Sequence, residues 1–321
     1  MLCGPSIERR PQLRHGGCGE CDGGSERDDM ISGMEEARFG VAHLDRVALH
    51  YAEMGPEDGP LVILLHGFPD SCIGWRHQMP ALAKAGFRVI APDQRGYGVS
   101  GKPRGVKAYD LDELAEDIVA LATHFGETRL RVVGHDWGAG VAWWLCSTRG
   151  EAMEKAAMIN APHPAIWKDA MYKDKAQRKK SRYVKAFRLR VLPEMMIRRK
   201  NFSALVEALK GSARPGAFDE AEFDAYRKAW REPKAITSMV HWYRALLKKK
   251  LPAKPAPIAT PVLLIWGEKD EFADVSLAKR SIALCERGGT LFFAEGTHWV
   301  HREEPQPIND MLITFLRSDQ E

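Results

Sequence analysis

The chain has 321 residues, of which 45% are hydrophobic and 28% are charged, so it can bury one large core with an inserted subdomain and is not a wholly disordered protein. Lys and Arg number 47 against 43 Asp and Glu, and this net charge of +4 does not by itself indicate nucleic acid or a membrane as a partner. No run approaches the roughly 18 apolar residues that span a bilayer, so neither a nucleic-acid partner nor an integral membrane segment is expected.

Residues 1–37 are predicted to be a disordered tail, because a segment rich in Gly, Arg and acidic residues buries too little apolar surface to become ordered. The N-terminus lacks the apolar centre of a secretory signal, which predicts a cytoplasmic protein. Cys18 and Cys21 form a Cys-x-x-Cys, with His15 and Cys3 nearby. Because a second ligand pair and the βαβ context of a redox motif are both missing, the sequence predicts no bound metal.

From residue 38 onward, strand and helix patterns alternate, beginning with a predicted hairpin of Phe39–Leu44 and Val47–Glu53. Further strands are predicted at Leu61–Leu65, Arg88–Ala91, Leu130–Val133, Ala156–Ile159, Val262–Trp266 and Thr290–Phe293, and helices at Trp75–Ala85, Leu111–Phe125, Trp137–Thr148, Ser276–Cys285 and Gln306–Leu316. Such alternation predicts an α/β fold with a mostly parallel sheet flanked by helices. Residues 38–160 and 257–321 are expected to form this core.

Residues 161–256 depart from the alternating pattern, because they are helical throughout and contain no clear strand. We predict that they form an inserted helical lid. Between Lys168 and Lys200 the chain has thirteen Lys and Arg against three Asp and Glu. This basic stretch is interpreted first as a solvated face whose aliphatic stems cover apolar surface. The alternative is a surface that attracts acidic substrates or an anionic membrane.

Residues 133–140 read Val-Gly-His-Asp-Trp-Gly-Ala-Gly, the pattern of a strand-to-helix nucleophile elbow, with Asp136 where most such elbows have serine. A serine would have indicated acyl transfer. A carboxylate can instead open a strained ring or displace a halide, which leaves an alkyl ester on the enzyme. Asp136 is therefore the candidate nucleophile.

Two backbone amides are candidates for an oxyanion hole. The tetrapeptide His66-Gly-Phe-Pro directly follows a predicted strand, at the place from which this architecture supplies one donor, here the amide of Phe68. The other donor is expected from Trp137, the residue after the candidate nucleophile.

The candidate acid and base follow two later strands. Asp270 follows the strand that ends at Trp266, and His298 follows the next one, in the order nucleophile, acid, histidine that suits this fold. Asp270 is expected to orient His298, which then takes a proton from water near neutral pH. Glu268 and His301 are the rival assignments, and the offsets from the strand ends favour Asp270 and His298.

The segment Gly96–Gly101 formally matches a dinucleotide-binding fingerprint. That fingerprint requires a helix to begin at its last glycine. Here Pro103 follows, and the next predicted helix begins at about Leu111. We therefore expect a structural loop and no cofactor.

Together these motifs resemble the epoxide hydrolases of the α/β-hydrolase superfamily, over nearly everything from Arg38 to the end. The matching motifs, in chain order, are His66-Gly-Phe-Pro, Asp93-Gln-Arg-Gly-Tyr-Gly-Val-Ser, Gly134-His-Asp-Trp-Gly, Asn160-Ala-Pro-His-Pro, Trp266-Gly-Glu-Lys-Asp and His298-Trp. The resemblance implies an α/β-hydrolase fold with a lid. It also implies hydrolysis of a small-molecule epoxide by water to a vicinal diol, a role in detoxification, and no cofactor; it leaves a homodimer open.

The resemblance implies further that two lid tyrosines grip the epoxide oxygen. Ser181-Arg-Tyr183 matches the first and Trp242-Tyr243-Arg the second, whereas Tyr172 and Tyr226 are the other lid tyrosines. Residues in or beside the matching motifs are expected to line the substrate pocket: His66, Pro69, Phe187, Trp242 and Trp299.

Two alternatives to an epoxide hydrolase follow from the same residues. Haloalkane dehalogenases share the aspartate nucleophile, but many have asparagine where Phe68 stands, and some take the triad acid from the position of Asn160. Neither feature is present here. The second alternative is a non-catalytic small-molecule binder on the same scaffold, although a binder has no need of a nucleophile, acid, base and proton donors.

Overall fold

The computed structural model describes residues 31–318, and these residues form an eight-stranded sheet in the order β1-β2-β4-β3-β5-β6-β7-β8. The strands are β1 (Arg38–His43), β2 (Ala48–Met54), β3 (Leu61–Leu65), β4 (Arg88–Pro92), β5 (Leu130–His135), β6 (Met153–Ile159), β7 (Val262–Gly267) and β8 (Gly288–Phe293). β2 pairs antiparallel with β1 and β4, and all other pairs are parallel. The predicted mostly parallel sheet is thus present.

The core helices alternate with these strands, and a block of six helices interrupts them after β6. The core helices are α1 (Gln78–Lys84), α2 (Leu111–His124), α3 (Trp137–Thr148), α10 (Val275–Ile282), α11 (Val300–Glu303) and α12 (Pro305–Arg317), and the inserted ones are α4 (Pro164–Lys173), α5 (Lys175–Lys180), α6 (Arg182–Phe187), α7 (Leu192–Ser212), α8 (Glu220–Arg231) and α9 (Ala235–Lys248). We call residues 161–256 the lid. In the part of the chain that the structure describes, no helix has both the length and the apolar character to cross a membrane.

The centre of the sheet is buried on both faces, which explains why β3 is apolar at every position. Leu61, Ile63 and Leu65 belong to the apolar cluster on one face, together with residues of α2 and α3. Val62 and Leu64 belong to the cluster on the other face, with residues of α1 and α12. β3 lies beside β5 at the centre of the sheet. Because the strands from β4 to β8 run parallel, their carboxyl ends meet at one edge, where this architecture places its sites.

The predicted helix over Trp75–Ala85 is divided in the structure. A 3₁₀ turn covers Cys72–Trp75, and α1 begins only at Gln78. Pro80 gives the physical reason: it has no amide hydrogen and is tolerated in the first turn of a helix. A helix that began at Trp75 would have placed Pro80 in its interior.

The predicted disordered tail extends too far into the chain. Ile31 and Met34, which the sequence analysis placed in the tail, are buried in the same apolar cluster as Met54 and Trp75. Packing against the core, which sequence composition does not report, orders this segment. Residues 1–30, with the Cys18 and Cys21 pair, lie outside the described residues.

Candidate active site

A strained turn between β5 and α3 presents Asp136. Its backbone has φ 50° and ψ −119°, in the region of positive φ that residues other than glycine rarely adopt and that costs about 1–3 kcal/mol. Gly138 is required two residues later, because a Cβ there would lie 2.0 Å from the Leu65 carbonyl oxygen. The close packing of α3 on the end of β3 thus holds the aspartate at the edge of the sheet.

The loop after β3 approaches the aspartate from one side. The Phe68 amide donates a hydrogen bond of 2.8 Å to Asp136 Oδ1. A Cβ at Gly67 would lie 2.4 Å from the Asp136 Cβ, so only glycine permits this approach. Trp137 is the first residue of α3, and its amide is therefore among those with no partner inside the helix. The Phe68 amide therefore lies beside the carboxyl group, and the Trp137 amide stays a predicted second donor.

The loops after β7 and β8 bring the predicted acid and base to the same edge. His298 Nδ1 lies 2.8 Å from Asp270 Oδ2, and His298 Nε2 lies 3.6 Å from Asp136 Oδ2. The other Asp270 oxygen accepts hydrogen bonds from the amides of Phe272 and Ala273, at 2.6 and 2.9 Å. The imidazole is thereby held between the buried carboxylate of Asp270 and the partly exposed carboxylate of Asp136.

The rival acid and base lie elsewhere. Glu268 is exposed to solvent, whereas Asp270 is buried. His301 is buried behind the site, where its ring packs on that of His135 with centroids 4.3 Å apart. The geometry therefore groups Asp270 and His298 with Asp136.

Asn160 is a site residue to which the sequence analysis gave no role. Its side-chain amide donates to Asp270 Oδ2 at 2.7 Å, and its carbonyl oxygen accepts the Gly267 amide at 2.9 Å. Asn160 itself has φ 48°, a conformation that asparagine tolerates better than most residues. Its position in the Asn160-Ala-Pro-His-Pro motif was the only signal in the sequence, and the contact with Asp270 spans 110 residues.

The charges of this group depend on one another. Burial opposes ionisation of Asp136, but the neighbouring His298 outweighs it and lowers the pKa of that carboxyl. Burial likewise opposes ionisation of Asp270, but the charge of the neighbouring His298 outweighs it and lowers the pKa of that carboxyl. For His298 burial alone would lower the pKa, but the charges of Asp270 and Asp136 raise it well above its ordinary value. The resting site is therefore an imidazolium between two carboxylates.

Two lid tyrosines cover the aspartate. Tyr183 on α6 and Tyr243 on α9 stand edge to face, with ring centroids 5.9 Å apart, and both line the same cavity as Asp136. Burial raises the pKa of both hydroxyls, and the negative charge of Asp136 raises each further. Both hydroxyls therefore keep their protons and can donate. Tyr172, in contrast, is exposed, and Tyr226 donates to Asp70 at 2.6 Å.

The cavity between the core and the lid is mainly apolar, as small-molecule sites usually are. The following residues line it: Asp136, Trp137, Gly140, Asn160, Ala161, Pro162, Pro164, Trp167, Tyr183, Tyr243, Leu246, Phe272, Ala273 and His298. Among the predicted pocket residues, Phe187 borders this group, because its ring lies 4.9 Å from the Tyr243 ring and 5.8 Å from the Phe68 ring, centroid to centroid.

The structure places the other four predicted pocket residues in the scaffold around the cavity. Trp242 and Trp299 are buried and donate their indole N–H groups to the Arg95 carbonyl and the Ser212 hydroxyl. His66 is also buried, with Nδ1 2.9 Å from the Gly67 carbonyl. Pro69 is buried as well, and its carbonyl accepts from an indole of the lid. Their polar atoms are used in holding the lid and loops, and the role of His66, Pro69, Trp242 and Trp299 in the substrate pocket stays a prediction.

Ligand-type side chains also cluster behind the site, at Asp70, His135 and His301. The guanidinium of Arg302 lies 3.7 Å from the Asp70 carboxylate. Burial lowers the pKa of His135 to about 3. The fixed positive charge of Arg302 disfavours a cation at this place, so we assign no metal to it.

The family profile described as alpha/beta hydrolase fold matches residues 60–305. The chain belongs to the α/β-hydrolase fold family. This α/β hydrolase is 41% identical to the AB hydrolase superfamily protein YfhM of Bacillus subtilis, over 89% of this chain and all of that protein. It is 32% identical to Epoxide hydrolase 4 of Mus musculus, over 84% of this chain and 76% of that protein.

Solved structures agree with these relatives. This α/β hydrolase matches the crystal structure of Bacillus megaterium epoxide hydrolase in complex with an inhibitor, with a TM-score of 0.80 and 30% identity over 87% of this chain and 100% of that chain. A variant of that enzyme complexed with its product, a naphthyloxy-propane-1,2-diol, matches with a TM-score of 0.79, also at 30% identity and with the same coverage. The predicted α/β-hydrolase fold and the predicted resemblance to epoxide hydrolases are confirmed.

Proposed function

We propose that this α/β hydrolase is an epoxide hydrolase that converts an epoxide to a vicinal diol through a covalent ester of Asp136. The observation that carries the proposal is one cavity lined by the Asp136 carboxyl group and by two lid tyrosines, Tyr183 and Tyr243. The relatives and structural neighbours named as epoxide hydrolases support the activity.

Ring opening begins with Asp136. Its Oδ1 is engaged by the Phe68 amide, which leaves Oδ2 as the oxygen that attacks an oxirane carbon. As the new C–O bond forms, the ring C–O bond breaks and its electron pair goes to the epoxide oxygen. Tyr183 or Tyr243 gives a proton to this developing alkoxide. The product of the step is a hydroxyalkyl ester of Asp136.

Ester formation prepares the base for the second step. It removes the negative charge of Asp136, which is one of the causes of the raised pKa of His298. The pKa of the imidazole therefore falls, and its proton replaces the one that the tyrosine gave to the alkoxide, so that the tyrosine hydroxyl is restored and His298 becomes neutral. The neutral His298, held by Asp270, can then act as a base.

Hydrolysis of the ester restores the carboxylate. His298 takes a proton from water, and the hydroxide adds to the Asp136 carbonyl carbon. The amides of Phe68 and Trp137 stabilise the oxyanion on Oδ1. Collapse of this intermediate breaks the bond to the alkyl oxygen, which takes the proton from His298, and the diol leaves. The Asp136 carboxylic acid that remains then gives its proton to His298, which restores the resting carboxylate and imidazolium.

Removal of a tyrosine hydroxyl is expected to slow ring opening. Tyr183→Phe and Tyr243→Phe should each lower the rate of ester formation by about 10²-fold, because a positioned general acid contributes about 10²–10⁴-fold. Rapid-quench measurement of the first turnover, with a terminal aryl epoxide, reports this step directly.

Tyr172→Phe is the matched control, since this lid tyrosine is exposed and should react at the wild-type rate. The double variant Tyr183→Phe/Tyr243→Phe should be slower than either single variant. An unchanged first-turnover rate in the double variant would show that the tyrosines do not take part in ring opening.

Loss of the Asp136 charge should lower the pKa of His298, because that charge helps to raise it. In Asp136→Asn, which imitates the neutral ester, we expect the imidazole to lose its proton at a lower pH than in the wild type. The measurement is ¹⁵N NMR of the histidine side chains during a pH titration. Equal titration in both proteins would contradict the proposed activation of the base.

A head-to-head assay separates the two electrophiles that Asp136 can attack. We expect diol release from epoxides and no halide release from haloalkanes. The Phe68 backbone already donates to Asp136 and Asn160 is used in holding Asp270, so the halide-binding asparagine and the alternative acid are both missing. Halide release without diol release would favour a dehalogenase. The cytoplasmic location, the homodimer and the role in detoxification stay predictions.

A further inference from the structure

The outer surface of the lid exposes an unusual number of large apolar side chains. Of ten exposed large hydrophobic residues among those described, five lie within residues 189–196. We call them the apolar patch: Leu189, Val191, Leu192, Met195 and Met196, each at least 50% exposed. Isolated exposed apolar residues are ordinary, but a contiguous group of them marks an interaction surface.

The beginning of α7 shows why these residues cannot simply turn inward. Leu192, Met195 and Met196 are spaced i, i+3 and i+4, so they share one face of the helix. The opposite face is already filled by Pro193 and Ile197, which are buried. The helix is thus apolar on both faces and only one of them is covered within the described residues.

Exposed cations flank the apolar patch on both sides in the sequence. We call them the cationic rim: Arg182, Lys185, Arg188, Arg190, Arg198, Arg199 and Lys200, all exposed. Among residues 31–318, none of these seven makes an ion pair. Glu194, the acid within this stretch, is buried and paired with Arg244 at 2.6 Å, so it neutralises none of the rim.

One open cleft connects the patch and the rim in space. Its wall contains Arg188, Arg190 and Val191, together with Lys107 and Lys248 from neighbouring elements. The same surface therefore presents long basic side chains beside apolar ones.

We propose that the apolar patch and the cationic rim dock the lid on an anionic lipid bilayer. An apolar face that inserts at the level of the headgroups, with Lys and Arg around it, is the pattern of interfacial membrane binding. Each Lys or Arg near an anionic leaflet strengthens binding about five-fold. A second copy of this chain fits less well, because two rims of the same sign would face each other.

Arg244 connects this surface to the candidate site. It follows Tyr243 in α9, and its guanidinium donates to the carbonyl oxygens of Phe187 and Leu189. Hydrogen bonds from Arg244 thus hold the turn at Leu189, where the apolar patch begins, next to Tyr243 of the cavity. Docking would bring the lid against the phase in which apolar epoxides dissolve.

Vesicle co-sedimentation tests the proposal with the full chain and without turnover. We expect the protein to sediment with vesicles of phosphatidylcholine and phosphatidylglycerol, and to remain in solution with vesicles of phosphatidylcholine alone. Binding should weaken as the salt concentration rises, because the rim acts through charge. An absence of sedimentation with the anionic vesicles at low salt overturns the proposal.

Two sets of substitutions separate the contributions of the surface. Met195→Gln with Met196→Gln should lower the lipid partition coefficient at least about five-fold. Arg190→Gln with Arg198→Gln and Arg199→Gln should lower it about 10²-fold, because each cation contributes about five-fold. The matched controls are Val99→Ser with Met311→Gln, and Lys84→Gln with Arg129→Gln and Lys279→Gln, which change exposed residues outside the lid and should bind as the wild type does. Undiminished binding by both lid variants contradicts the proposal.

Three further measurements separate membrane docking from catalysis, from self-association and from misfolding. Asp136→Asn should bind vesicles as the wild type does, so a failure of the proposed catalysis leaves the membrane test intact. Sedimentation velocity without lipid detects self-association. If the wild type is a dimer and Met195→Gln with Met196→Gln is a monomer, the patch binds a second copy of this chain, and membrane docking is overturned. Hydrolysis of a water-soluble epoxide at the wild-type rate shows that the lid variants are folded.

Discussion

Asp136→Asn should lower diol formation by at least about 10⁴-fold, because loss of a covalent nucleophile leaves only the catalysis that binding and the oxyanion donors provide. An amide is a poor nucleophile but nearly isosteric with the carboxyl group. Asparagine also tolerates the positive φ of this position, whereas alanine would be strained there. The variant should therefore be folded, as circular dichroism and thermal unfolding can check, and the lost activity can be assigned to the missing nucleophile.

Isotope labelling tests the covalent route in the wild-type protein itself. In a single turnover in ¹⁸O water, the heavy oxygen should enter the Asp136 carboxyl group and not the diol, since water attacks the ester carbonyl carbon and not the epoxide. Mass spectrometry of the peptide that contains residue 136 locates the label. A second turnover should then transfer the label to the diol, because the new carboxyl oxygen takes the place of Oδ2, the oxygen that attacks the epoxide. Label that appears in the diol in the first turnover would show direct attack by water.

The group of nucleophile, acid and base could be predicted from the sequence for a structural reason. In a parallel sheet each candidate follows its own strand, and the carboxyl ends of those strands meet at one edge. The positions of Asp136, Asp270 and His298 after β5, β7 and β8 therefore sufficed to predict that they lie together. The predicted start of α1 at Trp75 was wrong, because Pro80 is tolerated only in the first turn of a helix, and α1 begins at Gln78.

Contacts between distant segments could not be predicted in this way. Asn160 supports Asp270 across 110 residues, and no local pattern specifies such a pairing. Trp242 was predicted to line the pocket because it lies beside Tyr243, but neighbours on a helix point in different directions, and its indole donates to the core loop at Arg95. The exposure of Met195 and Met196 could not be predicted either, since an apolar residue in a helical pattern normally indicates burial.

His298→Gln should stop the reaction after the first step and accumulate the Asp136 ester. Ring opening requires the carboxylate and the tyrosines, whereas only hydrolysis of the ester requires a base. We expect stoichiometric attachment of the epoxide to the protein, visible as an increase in intact mass equal to the mass of the epoxide. Steady-state diol release should fall by about 10²–10⁴-fold, the usual contribution of a general base.

Two further variants test whether the added mass is an ester of Asp136 and whether Asp270 acts through His298. His298→Gln combined with Asp136→Asn should acquire no added mass, which assigns the ester to residue 136. Asp270→Asn should also accumulate ester but release diol faster than His298→Gln, because it leaves the imidazole in place and weakens only its orientation and charge. A His298→Gln protein that neither releases diol nor gains mass would place His298 in the ring-opening step. In that case the imidazolium between Asp136 and Asp270, and not the tyrosines alone, would supply the proton to the epoxide oxygen.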